Sequence, residues 1–134
     1  RINRPYGAYR YVPVSLLTIQ TGDIFARARL RVMEISESFR FITEQIENIP
    51  GGNLTGDVGQ TAESSGVISI IEGWRGEIVH AVFTDENGNI SQYKIKDPSF
   101  NNWYGLSSAL RGTAISDFPL CNKSFDLSYS GHDL

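Results

Sequence analysis

Glu72-Gly73-Trp74-Arg75-Gly76-Glu77 and Asp97-Pro98-Ser99-Phe100 bracket two strand-like runs, Ile78 to Thr84 and Ile90 to Lys96. Between the runs lies Asn87-Gly88, a pair that turns antiparallel strands because both residues tolerate the left-handed backbone of a tight turn. The reading is a hairpin turned at Asn87-Gly88. Such a hairpin brings the Arg75 end and the Pro98-Ser99 end back to one edge of the sheet. A guanidinium, a rigid ring and a hydroxyl then stand side by side. Upstream, Val67-Ile68-Ser69-Ile70-Ile71 is apolar and reads as a short buried strand. Residues 67–96 therefore predict a small antiparallel sheet.

Working toward the N-terminus, the segment 51–66 is rich in Gly, Asn, Thr, Ser and Asp and reads as a loop. No lysine-serine or lysine-threonine pair follows its glycines, so it is not a phosphate cradle. Before it, Ile24, Ala28, Val32, Ile35, Phe39, Ile42, Ile46 and Ile49 recur at spacings of three and four. That is one face of a long amphipathic helix over 22–49. Asp23 or Thr21 can accept from the free amides of its first turn, and Pro50-Gly51-Gly52 ends it. The opposite face carries Arg27, Arg31, Glu34, Glu37 and Glu44. The stripe needs a covering partner: the hairpin, a second helix, or protein outside these residues. As a core aromatic, Phe39 replaced by alanine should cost about 3 kcal/mol or more. Residues 1–21, broken by Pro5 and Pro13, read as an irregular arm with Tyr6, Tyr9 and Tyr11 as its anchors.

Toward the C-terminus, Trp103, Leu106 and Leu110 have helical spacing, and Arg111-Gly112 marks an end. Asp117 to Ser124 reads as a last short helix, with Asp117 as its cap and Pro119 in its first turn. Residues 97–134 thus form a helical C-terminal segment. The fold class is α+β in a single domain: one long helix, a small antiparallel sheet, and one or two short C-terminal helices.

The 134 residues suffice for one domain with a modest core, and 40% hydrophobic with 20% charged residues is ordinary for a globular chain. A net charge of -3 argues against nucleic acid as a partner. Arg27, Arg29 and Arg31 form a basic run, but on a helix they fan around the axis and read as solvated or partner-facing surface. The one cysteine, Cys121, excludes an internal disulfide and a cysteine metal cluster within the chain. It reads as a small buried apolar residue. No run of about 20 apolar residues is present, so no direct membrane span is expected. The chain starts at Arg1 and not at a methionine, which suits a piece of something longer.

Catalytic signatures of hydrolases, zinc proteases and redox dithiols are absent. His80 sits in a hairpin arm as a structural or rim histidine. His132, near the end of the chain, reads as exposed. Arg75, flanked by Trp74 and two nearby glycines, is the most suggestive group. It could pair with Glu72 or Glu77, stack on Trp74, or donate to an anionic group at the corner.

Gly22-Asp23-Ile24-Phe25-Ala26-Arg27 and Arg31-Val32-Met33-Glu34-Ile35-Ser36-Glu37-Ser38 resemble the long helix in the large subunit of energy-converting [NiFe]-hydrogenases. The homologous 49-kilodalton component of NADH:quinone oxidoreductase shares that helix. Trp74-Arg75-Gly76-Glu77, the hairpin, Lys96 and Pro98-Ser99-Phe100 follow in the family's order, and Pro5-Tyr6 and Val12-Pro13-Val14 resemble the segment before the helix. Each motif alone is weak, and their order is what makes the match specific.

The resemblance implies the C-terminal part of a large subunit within a membrane-attached, formate-hydrogenlyase-like or quinone-reactive oxidoreductase. Its partners would be the missing N-terminal part of the same subunit and an iron–sulfur small subunit. Iron–sulfur clusters would lie in partner subunits, with NAD(H) or quinone possible in the parent complex. The place would be peripheral, on the cytoplasmic side of the cell membrane. By motif, the family's active-site arginine falls on Arg75 and its Pro-Ser pair on Pro98 and Ser99. The C-terminal cysteines that hold nickel and iron fall on Ser128 and Gly131. A hydroxyl is a hard donor and glycine donates nothing, whereas a nickel–iron site needs soft thiolates. The expectation is therefore no nickel–iron centre, no cofactor in this chain, and no catalysis by it alone. The alternative is a degenerate scaffold that keeps the fold only to hold redox-complex partners together.

Overall fold

The computed structural model describes residues 1–53 and 55–132. They group into two compact units, Arg1–Leu54 and Thr55–Leu134, each taken by itself below. The class is α+β, as the sequence predicts: helices with a three-stranded antiparallel sheet.

In the first unit the long helix α1 spans Ile24–Glu47. Asp23 caps it, accepting the amide of Ala26 at 2.6 Å, which satisfies one of the orphan donors of the first turn. Thr21 does not cap; its hydroxyl only reaches the Asp23 carboxylate at 3.5 Å. On the outer surface Arg40 bridges Glu37 and Glu44, each at 2.5 Å, one turn apart on either side.

The arm is not wholly irregular. It contains one 3-10 turn, Gly7–Arg10. Tyr6 meets Tyr9 edge-on at 5.4 Å between centroids, and Tyr9 lies 6.1 Å from Phe41 of the helix. Farther along, the bonds from Arg40 and, to a lesser degree, the neighbouring Ser15 lower the Glu37 carboxyl to about 2. Tyr11, in contrast, is 85% exposed and anchors nothing.

On α1 Ala26 is buried, and Leu30, Met33, Glu37 and Phe41 are among the half-buried positions. The predicted stripe is not the covered face. Val32, Ile35, Phe39, Ile42, Ile46 and Ile49 all stand exposed, Phe39 by 70%. The reason is geometric: the arm runs past the Tyr9–Phe41 and Ser15–Glu37 contacts, to one side of the stripe. Phe39→Ala is accordingly expected to change the stability of this chain by no more than about 0.5 kcal/mol.

In the second unit β1 (Gly66–Gly73), β2 (Gly76–Thr84) and β3 (Ile90–Lys96) form a meander in the order β1-β2-β3. The register pairs Gly73 with Gly76 and Val79 with Lys96. Trp74 and Arg75 are the two residues between β1 and β2. Gly76 follows with φ of +135°, a conformation that only glycine adopts freely. The second turn uses residues 85–89. Asp85 accepts the amides of Asn87 and Asn89, both at 2.9 Å, and Gly88 takes φ of +78°. Residues 61–65 of the preceding loop are tied to this end of the sheet, with the Ser64 amide on the Asp85 carbonyl at 2.8 Å.

β1 is not a buried strand. Val67, Ile68, Ile70 and Ile71 alternate between the two faces, and all are exposed. Residues of β1 on both faces are therefore open to solvent.

α2 (Ser99–Ala109) starts directly after Pro98, four residues earlier than the spacing of Trp103, Leu106 and Leu110 predicts. α3 (Phe118–Phe125) has Asp117 at its N-cap and Pro119 in its first turn, as expected, although the Asp117 side chain makes no cap bond. Leu106 and Cys121 are each 2% exposed and form the centre of this helical part. A further 3-10 turn, Ser130–His132, closes the described chain. The expectation for the His132 side chain falls outside the described residues.

Candidate functional site: a polar corner at the base of the sheet

Three segments meet where the β1–β2 turn, the start of α2 and the stretch after α3 come together. Arg75 presents from the turn. Its Nε donates to the carbonyl of Asp126, and one terminal nitrogen lies 3.9 Å from the Asp126 carboxylate. The carbonyl of Arg75 in turn accepts from Asn102 Nδ2 at 2.6 Å. Of the partners open to Arg75 in the sequence, the structure chooses neither Glu72 nor Glu77 for these bonds, but a residue 51 positions later.

Asp126 is available because α3 ends on it in the left-handed conformation, φ 52° and ψ 45°. An aspartate tolerates that region better than most residues with a Cβ. The helix therefore stops abruptly, and the Asp126 carbonyl meets the guanidinium.

Pro98 and Ser99 are buried at the entry to α2, Ser99 with no exposure at all. A Cβ on Gly76 would stand 3.2 Å from Pro98 Cβ, so the β1–β2 turn rests directly on the proline. The Ser99 amide donates to Asp97 Oδ1 at 2.8 Å. Its hydroxyl accepts the amide of Ser128 at 3.0 Å and favours the ionised form of the Asp97 carboxyl. Ser128 Oγ accepts the amide of Gly131 at 2.9 Å and lies 3.2 Å from Ser130 Oγ. Arg75, Pro98, Ser99, Ser128 and Gly131 are thus gathered at one corner. His80 is not part of it; it pairs through Nδ1 with the Tyr93 hydroxyl on the sheet. Sequence reasoning missed Asp97, Asn102 and Asp126. Only the adjacency of Asp97 to Pro98 hinted at the first.

The Ser99 hydroxyl, the Ser99 amide and the nearby Arg75 charge together hold the Asp97 carboxyl below its ordinary value of 3.8, against the effect of partial burial. A lowered folded-state value means that the ionised form is bound more tightly in the folded chain. That stabilisation is present above about pH 4 and is lost as the pH falls through the lowered value. Asp97→Asn should flatten the acid limb of the stability curve. Thermal midpoints of both proteins between about pH 7 and about pH 2 check this; superimposable acid limbs would contradict it.

The corner does not fit a nickel–iron centre. Position 128 offers a hydroxyl already engaged with Gly131 and Ser130, and position 131 offers no donor. Among the described residues no group of three His, Cys, Asp or Glu side chains is placed to hold a metal ion. Cys121 is buried in α3, upstream of both positions in sequence.

The profile of the family described as the 49 kDa subunit of respiratory-chain NADH dehydrogenase matches residues 1–65 and 55–133, nearly the whole chain. The chain belongs to that family. Hydrogenase-4 component G of Escherichia coli K12 is 30% identical over 133 residues, covering 99% of this chain and 24% of that protein. Formate hydrogenlyase subunit 5 of the same organism is 27% identical, covering 99% and 23%. A subunit of the NADH-quinone oxidoreductase of Herpetosiphon aurantiacus is 27% identical, covering 92% and 35%. The chain therefore spans about a quarter to a third of the length of these relatives. A chain of an archaeal respiratory membrane complex, the membrane-bound sulfane sulfur reductase, has the same fold: TM-score 0.79 at 18% identity, over 96% of this chain and 39% of that one. Among the described residues no helix is long and apolar enough to cross a membrane.

Proposed function

We propose that this chain is the C-terminal portion of the large subunit of a membrane-attached electron-transfer oxidoreductase, of the NADH- or ferredoxin-linked, quinone-reactive type, without a nickel–iron centre. The observation that carries the reading is the convergence of Arg75, Pro98, Ser99, Ser128 and Gly131 on one corner from three separate segments. In the parent subunit this corner lines part of the cavity facing the iron–sulfur subunit. Arg75 supplies a fixed positive charge and directional donors there. Ser99 holds the stretch at Ser128 in place. The complex lies on the cytoplasmic side of the membrane, and its clusters reside in partner subunits.

The exposed stripe of α1 and the open faces of the sheet support the same assignment. Contiguous apolar surface of this kind marks contact with other protein. The occupant is the remainder of the large subunit, since most of the length of the relatives lies outside this chain.

Two measurements test the reading. Elemental analysis of the intact complex should find iron and no stoichiometric nickel; one nickel per large subunit would overturn it. Arg75→Ala in the intact complex should lower electron transfer by about tenfold or more while the subunits stay assembled, as loss of a charge-stabilising donor does. Unchanged electron transfer would favour the scaffold alternative.

A further inference from the structure

We infer that the side chain of Asp97 has taken the place of the second metal-binding thiolate, so that position 131 now admits nothing larger than glycine. This rests on reading Ser128 and Gly131 as former ligand positions and goes beyond it: the slot is filled, not merely stripped of its donor.

Gly131 is buried. A Cβ added to it would stand 2.6 Å from Asp97 Cγ and 2.9 Å from both Asp97 Cβ and Oδ1. Carbon atoms in folded proteins do not approach that closely without displacement. The three nearest atoms all belong to Asp97. The backbone is not the obstacle, because Gly131 is not among the glycines with positive φ. The atoms that most closely oppose a Cβ at 131 are those of this one side chain.

Nor can Asp97 simply swing aside. Its Oδ1 holds the Ser99 amide at 2.8 Å. Ser99 is fully enclosed and pinned in turn by the Ser128 amide. Moving Asp97 would break its bond to the Ser99 amide at the start of α2. A soft-metal site is thus closed twice, by loss of the donor at 128 and loss of the volume at 131. In place of the metal the corner carries a fixed carboxylate near the Arg75 guanidinium. Restoring cysteine at 128 and 131 cannot rebuild a metal pair unless position 97 changes with them.

A double-mutant cycle on the thermal midpoint of the chain tests the coupling. Gly131→Ala in the wild-type background should lower the midpoint by several degrees. In the Asp97→Gly background the same substitution should cost little or nothing, because the opposing atoms are gone. Asp97→Ala, which removes the nearest atom but keeps Cβ, should give an intermediate relief and serves if the glycine variant does not fold. If Gly131→Ala alone fails to fold, recovery of folding in the double variant carries the same conclusion. An equal loss in every background, or no loss in wild type, would overturn the inference. The nickel measurement is independent of this cycle, so failure of one is distinguishable from failure of the other.

Discussion

Leu106→Ala should cost the chain about 2–5 kcal/mol, the range for truncating a leucine inside a packed core. Leu106 is 2% exposed on α2, and Cys121, equally buried on α3, is the other apolar centre of this helical part. Among the described residues, Ala26, Leu106 and Cys121 are the buried apolar side chains. For a domain whose total stability is about 5–15 kcal/mol, the loss is a large share. Urea denaturation followed by far-ultraviolet circular dichroism measures it. A change under about 1 kcal/mol would mean that α2 and α3 are not held together at this point. Phe39→Ala removes a larger side chain but should matter less, because Phe39 is mostly in solvent. Its removal should instead weaken association with the rest of the large subunit.

Ser99→Ala should cost about 1–3 kcal/mol although only one oxygen is removed. The hydroxyl is wholly enclosed, accepts the Ser128 amide at 3.0 Å and favours the ionised Asp97 carboxyl. Without it, a partly buried N–H has no acceptor, and a carboxylate loses its strongest neighbour. The effect should be local as well as global: amide hydrogen exchange at Ser128 and Gly131 should accelerate more than exchange in β2. Uniform acceleration across the chain would indicate general loosening and would contradict the view that Ser99 fastens the 128–131 turn to α2.

The polar corner owes its existence to turns, and its elements were legible to different degrees. The hairpin arms, Asp23 as the cap of α1 and Pro119 in the first turn of α3 follow from local rules. Each depends on backbone conformations and hydrogen bonds within a few residues. Arg75 and Pro98-Ser99 share an edge for the same reason: an antiparallel hairpin returns its ends together. The partners of these residues were not legible. Asp126 meets Arg75 only because α3 stops on a left-handed residue, and no local pattern announces which distant carbonyl will lie beneath a guanidinium. The α1 stripe shows the converse. Its periodicity correctly marked an apolar face, yet periodicity cannot say which protein covers that face.

By itself, then, the amino-acid order determined the helices, the strands, the hairpin and the family, because propensity, capping and turn chemistry act over short distances along the chain. Only the tertiary structure decided that the stripe of α1 is open, that Asp97 stands against Gly131, and that Arg75 answers to Asp126. Those outcomes depend on atoms from separate segments excluding one another in the same small volume, which one-dimensional patterns do not encode.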